Sequence, residues 1–184
     1  CKSVVTMGNG KYALMPVIQV VPFVLNGIDG YVNTSLLNPD NTNDVMVYAE
    51  QSGQIIQSAT PDPTTGKFFL ARLDAGNYDV VFTANGYTTA VIATVPVASA
   101  TSIVDVSDSA HPITLLSSTT GTISGTVTLN PANPNVVAYV SAQQTFNGGP
   151  TITVQSQAAD LTNGSYTLTL PLAAPQLGTY SSTL

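Results

Sequence analysis

The stretch that most constrains this chain runs Gly66-Lys67-Phe68-Phe69-Leu70-Ala71-Arg72-Leu73-Asp74-Ala75-Gly76-Asn77-Tyr78-Asp79-Val80-Val81-Phe82-Thr83-Ala84-Asn85-Gly86-Tyr87. Side chains alternate along a strand, so Phe68 and Leu70 share one face of a first strand, and Tyr78, Val80 and Phe82 share one face of a second. Asp74-Ala75-Gly76-Asn77 supplies the turn between them, and Asn85-Gly86 marks the next one. No window carries helical periodicity of useful length. The expected fold class is therefore all-β, with this stretch as the centre of a sandwich.

The chain around it reads as further strands. Residues 25–106 form a first module. Ile28, Gly30 and Val32 open it, Leu36 to Asp44 is a polar loop, and Val45, Val47 and Ala49 share a strand face with Tyr48 and Glu50 on the opposite one. Ile55-Ile56 is a short strand, Asp62-Pro63-Thr64-Thr65-Gly66 is turn chemistry, and Thr88 to Val97 and Ser102 to Val106 return as strands. Residues 107–120 are a Ser/Thr-rich connector carrying His111-Pro112. Residues 121–184 then repeat the first module, the strongest organisational signal in the sequence. Ile123, Gly125 and Val127 match Ile28, Gly30 and Val32; Ala138, Val140 and Ala142 match Val45, Val47 and Ala49. Gly164 to Leu168 matches Gly66 to Leu70, and Gly178-Thr179-Tyr180 matches Gly76-Asn77-Tyr78. Nothing after Tyr180 corresponds to Gly86-Tyr87 and its return strand, so the second sandwich is expected to be incomplete, leaving Tyr166, Leu168 and Leu170 uncovered.

Composition decides what such a chain can bind. Charged residues are 8% of the 184, against roughly 25% in an average soluble protein, while hydrophobic residues are 43%. The polar surface must be Ser, Thr, Asn and Gln, a profile expected of exported, surface-exposed β proteins. Four basic residues and a net charge of −6 exclude a phosphate-neutralising patch, and with it nucleic acid and anionic head groups. No run of 18 apolar residues offers a transmembrane helix.

Residues 1–24 are an apolar β segment interrupted by a Gly8-Asn9-Gly10 hairpin signal, with Pro16 and Pro22 confining it to edge or bent strands. It has no evident home in either module and is expected to end a preceding domain or to be an exchanged strand. Cys1 is the only cysteine, so no intramolecular disulfide is possible. There is no initiator Met, so residue 1 is not expected to be a gene start. Two readings of Cys1 stand: the lipidated Cys of a mature bacterial lipoprotein, or an internal residue of a longer chain. Structured β sequence directly after it favours the second.

The Gly-x-Val opening strand, Gly66-Lys67-Phe68-Phe69-Leu70, Ala75-Gly76-Asn77-Tyr78-Asp79-Val80 and the closing Gly86-Tyr87 resemble carboxypeptidase regulatory-like domains. The resemblance covers residues 25–106 and, in part, 121–184. It implies tandem transthyretin-like (prealbumin-like) β-sandwiches and no activity, because such modules are non-catalytic. Cys1 to Val5, Gly8 to Tyr12 and Leu14 to Ile18 resemble the closing strands of an uncharacterised domain family of bacterial lipoproteins. That resemblance implies export, a lipid anchor at or upstream of Cys1, and an outer-membrane, cell-surface or extracellular location.

The residues themselves offer little chemistry. Nucleophilic catalysis needs a base oriented by a third group. The only histidine, His111, precedes a proline in the connector and reads as a loop residue. One His, one Cys and one Glu do not make a zinc site, and Glu50, Asp74 and Asp79 are too scattered to pair as a glycosidase would need. No catalytic residue, cofactor or enzyme activity is expected. Asp40, Asn43 and Asp44 gather oxygen ligands in one loop and are the best Ca²⁺ candidates, although their spacing is not that of an EF-hand and a polar turn is the plainer account. Tyr31, Tyr48 and Tyr139 alternate out of phase with the core and are expected to face solvent, as a sugar-binding platform would. Ordinary cross-strand packing is the plainer account. A Lys–Asn isopeptide staple would need a buried lysine beside a glutamate, and Lys67, opposite in phase to Phe68, is expected to be exposed. Asn33-Thr34-Ser35 and Asn163-Gly164-Ser165 match the glycan-acceptor pattern.

The function expected is a structural or interaction module of an exported bacterial lipoprotein that meets a protein partner, or another copy of itself, through sheet edges. Strand complementation would propagate it as a filament. A carbohydrate-binding module is the alternative.

Overall fold

The computed structural model describes residues 26–37, 44–98, 102–130 and 136–182, together with the backbone of 4–6 and 12–14. The chain is all-β. β1 (Val4–Thr6) and β2 (Tyr12–Leu14) pair antiparallel, with Val4 opposite Leu14. The Gly8-Asn9-Gly10 signal between them lies outside the described residues, as do Cys1 and residues 15–25.

The first unit is a sandwich. Its smaller sheet has the order β6 (Lys67–Ala71), β3 (Gly27–Tyr31), β9 (Ile103–Asp105). Its larger sheet carries β8 (Ala90–Val97), β7 (Gly76–Thr83), β4 (Met46–Gln51) and β5 (Gln54–Ala59) side by side. The alternation read from the sequence gives the core. Ile28, Phe68 and Leu70 from one sheet meet Val47, Ala49, Tyr78, Val80, Phe82 and Val95 from the other, all buried in one cluster. The Phe68 and Phe82 rings meet edge to face at 5.6 Å and 77°, the arrangement their quadrupoles favour. Leu73 in the β6–β7 link is buried, its carbonyl accepting from the Asn26 amide. The Tyr78 hydroxyl donates to the Asp74 carbonyl at 2.9 Å across the turn.

Residues 107–120 are more than a connector. The Ser107 hydroxyl accepts from the Tyr31 N–H at 2.7 Å and donates to the Tyr31 carbonyl at 2.9 Å. Val32 and Ile113 form a parallel bridge, Tyr87 and Ser117 an antiparallel one, and Leu115 is buried in the first unit's core. Apolar residues at 113 and 115 sew this Ser/Thr-rich segment to the sandwich.

The second unit repeats the first in register. β10 (Thr120–Thr126) pairs with β13 (Ser165–Pro171), with Ile123 opposite Leu168 and Gly125 opposite Tyr166. In the first unit Ile28 lies opposite Leu70 and Gly30 opposite Phe68. β11 (Tyr139–Thr145) pairs with β12 (Thr151–Ala158), with a bulge between Ala142 and Gln143; β4 and β5 carry theirs between Ala49 and Glu50. Even the turn before the Gly-x-aromatic strand is duplicated. Gly66 (φ 75°) and Gly164 (φ 71°) each take positive φ, and a Cβ at either would collide with the carbonyl of Val32 or Val127. Asp62 and Asp160 cap those turns, accepting from the N–H groups of Thr64 and Thr65 and of Thr162 and Asn163.

The last strand departs from the repeat. β14 (Gln176–Thr179), the counterpart of the start of β7, pairs parallel with β8 and becomes the fifth strand of the first unit's larger sheet, in the order β14-β8-β7-β4-β5. The β10–β13 and β11–β12 pairs remain separate two-stranded sheets. Of the three residues expected to be uncovered, Leu168 is buried and Tyr166 and Leu170 are partly buried, because β12 lies against β13.

Replacing Phe82 by Ala should lower unfolding free energy by about 3–5 kcal/mol, as for other buried aromatic truncations. Urea denaturation of the variant checks this; a loss below about 1 kcal/mol would place Phe82 outside the core.

Candidate interaction site

The sequence leaves the second face of the β4–β7–β8 sheet to solvent; the structure covers it with β12. Ile152 is fully buried in a cluster with Val81 and Val91, and Tyr48, Phe146 and Val154 pack around it. At the end of this seam the Thr153 N–H donates to Glu50 Oε2 at 2.7 Å, and the Thr153 hydroxyl donates to the Gly53 carbonyl at 2.7 Å. The Gln143 amide donates to the same carbonyl at 3.1 Å.

Glu50 is the unusual group of the seam. It is fully buried, and its Oε1 has no hydrogen-bond partner among the described residues. No Lys, Arg or His lies on β4, β5, β7, β8, β11 or β12. Another carboxylate, Asp79, lies opposite it on β7. Burial pushes the Glu50 carboxyl up to about 7, Asp79 adds to the shift, and the Thr153 N–H opposes it. Asp79 is itself raised by burial while accepting from the Thr94 N–H at 3.2 Å. A third raised carboxyl sits on the smaller sheet. Asp29 is pushed up to about 6 by burial and by its neighbour Asp105, against the pull of Lys67.

The other face of the second unit is open. β11 pairs with β12 along one edge and with no described strand along the other. Beside it a groove of about 320 Å³ is lined by Val127, Leu129, Val136, Ala138, Ala159 and Leu161. Ile28 is 0% exposed, whereas its repeat counterpart Ile123 is 54% exposed. Strand edges carry unpaired N–H and C=O groups that accept another strand, and the same unit exposes apolar surface at Ile123 and Leu161.

The residues singled out from the sequence are dispersed. Tyr31 is partly buried on β3, with the Lys67 ammonium 5.8 Å from its ring centre. Tyr48 is partly buried on β4, packed against the Val81–Val91–Ile152 cluster, instead of facing solvent: β12 covers that sheet face. Tyr139 is 72% exposed on β11. The three occupy three different sheets, and no described contact joins them. Asp40 and Asn43 lie outside the described residues; Asp44 is exposed with φ 48°. Among the described residues no group of three or more His, Cys, Asp and Glu side chains gathers as a metal site would require. His111 is exposed, its Nδ1 3.3 Å from Asp108. Lys67 is half-exposed and ion-paired with Asp29 at 3.5 Å. Asn33 and Asn163 spend their side-chain oxygens on the N–H groups of Ser35 and Ser165, two residues on. Among the described residues no helix is long and apolar enough to cross a membrane.

Sequence reasoning missed Glu50 and Thr153. The signal was present in Val80-Val81-Phe82: a continuous apolar run belongs to a strand buried on both faces.

No family model matches the chain, and no curated protein does. Solved structures similar to it include crystal structures of an N-terminal and a C-terminal interface mutant of a type II cohesin–X-dockerin complex from Acetivibrio cellulolyticus. They match at 28% and 27% identity, cover 50% of this chain and 58% of the matched one, and have a TM-score of 0.39. This chain thus spans little more than half the length of its matches, and a TM-score that low bears no conclusion about fold or function.

The seam should respond to pH through Glu50. An acid whose pKa rises from 4.5 to about 7 on burial binds a proton in the folded state that the unfolded state has released. Its contribution is therefore complete below pH 4.5 and is lost as pH rises through about 7. Asp29 and Asp79 act in the same direction, so the comparison must isolate Glu50. Between pH 4.5 and 8 the melting temperature of Glu50→Gln should fall less than that of the parent. Parallel curves would show that Glu50 does not titrate there.

Proposed function

We propose that this chain is a non-catalytic structural and interaction module of an exported bacterial cell-surface lipoprotein, built from two carboxypeptidase regulatory-like units. It engages protein by accepting a β-strand at the free edge of β11. The second unit carries this reading: the β11 edge that pairs with no described strand, the apolar groove off the start of β11, and the exposed Ile123 and Leu161. A strand laid there would pair its backbone and cover that apolar surface together, the physics of β-augmentation.

The occupant we favour is the β1–β2 hairpin of a second copy. Its strands pair with each other and with no other described strand, and its sequence is apolar on both sides of the turn. The contact joins two different surfaces, so it propagates head to tail and builds a filament. Light scattering across a concentration series tests this. The chain should associate as concentration rises, and deletion of residues 1–24 should leave it monomeric. Association that persists without residues 1–24, or a parent chain monomeric throughout, would overturn the reading.

A further inference from the structure

β14 stands where its sequence does not belong. Its Gly178-Thr179-Tyr180 repeats Gly76-Asn77-Tyr78, which opens β7, a strand paired on both sides in the middle of a sheet. β7 runs antiparallel to β4, with Ala49 opposite Val80. The second-unit counterpart of β4 is β11, whose equivalent edge pairs with no described strand. The links agree in length: residues 72–75 join β6 to β7, and residues 172–175 join β13 to β14. Nothing in the length of the chain prevents β14 from reaching β11.

Its present position fits poorly. It pairs parallel with β8, the weaker of the two ladder geometries. Leu177 is 46% exposed and Leu172 in the link 68%, whereas Leu73 in the first unit's link is 2% exposed. What holds β14 there is local. The Gln176 N–H donates to the Thr89 carbonyl at 2.8 Å. Gln176 Oε1 accepts from the Thr88 hydroxyl at 2.8 Å and from the Leu116 N–H at 3.1 Å. Tyr180 packs at the border of the first unit's core.

We infer that β14 is a two-position strand: parked on β8 it leaves the β11 edge open, and on β11 it occupies the edge a partner strand would take. Gln176 is the latch of the parked position. The inference rests on the proposed strand-accepting role of β11 and supplies its regulation: the module's own strand competes with the incoming one.

Two disulfide traps in a Cys1→Ser background test it. Ala93→Cys with Thr179→Cys captures the parked position, since these residues are opposed in the β14–β8 ladder. Ala142→Cys with Ser182→Cys captures the other, because they are the repeat counterparts of Ala49 and Val80. Under mild oxidation each variant should form its bond, read by mass spectrometry of the digest. Adding Gln176→Ala should raise the yield of the 142–182 bond about fivefold, the effect of losing roughly one net hydrogen bond. A 142–182 bond that never forms, while the 93–179 bond forms fully, would overturn the two-position strand. Association separates this from failure of the strand-accepting role. If β14 competes for the edge, oxidising the 93–179 variant strengthens self-association and reducing it weakens it. If both traps form and association ignores them, β14 moves but β11 is not the docking edge.

Discussion

Strand β7 is buried on both sides, and the rest of the molecule hangs on that. Val80 and Phe82 point into the sandwich against Phe68 and Leu70, while Val81 points the other way, beneath Ile152. Burial of branched and aromatic side chains contributes roughly 1.5–3 kcal/mol apiece, and here one strand supplies it to two layers. The first layer makes the sandwich. The second fixes β12, and with it the second unit, to the outer face of the larger sheet.

That second layer is small, and its polar end is poorly matched. Ile152 fills an apolar cluster, but a few ångströms along the seam Glu50 is buried with one oxygen unpartnered among the described residues and no cation on any neighbouring strand. A charge in such a place is disfavoured unless it is neutralised or paired, so the carboxyl holds its proton to higher pH. Burial in the seam thus holds this carboxyl above the usual range, with the Thr153 N–H opposing the shift.

The duplicated units show how one pattern yields two outcomes. Register, bulge position and the Asp-capped turn before Gly66 and Gly164 are common to both, because the two units carry the same alternation and the same turn residues at matching positions. Closure differs. In the first unit β7 enters between β4 and β8 and shuts the core; in the second the corresponding strand lies on β8, and no described strand pairs with the second edge of β11. Surface that the repeat was built to bury, Ile123 above all, is therefore exposed.

Alternation alone determined the all-β class, the core residues Phe68, Leu70, Tyr78, Val80 and Phe82, and the repeat down to Ile123 with Ile28. These follow from the two-residue period of a strand and from turn residues with special backbone needs, both written locally. Low charge likewise removed phosphate-rich partners from consideration. Three things were decided only in the tertiary structure. Tyr48 is partly covered because a strand a hundred residues later lies over it. Residues 113 and 115 anchor a segment whose composition reads as a loose connector. β14 leaves its own unit for another's edge. Each depends on which edges and faces are free once the local pieces have formed, and free edges are a property of the assembled sheets, not of any stretch of sequence.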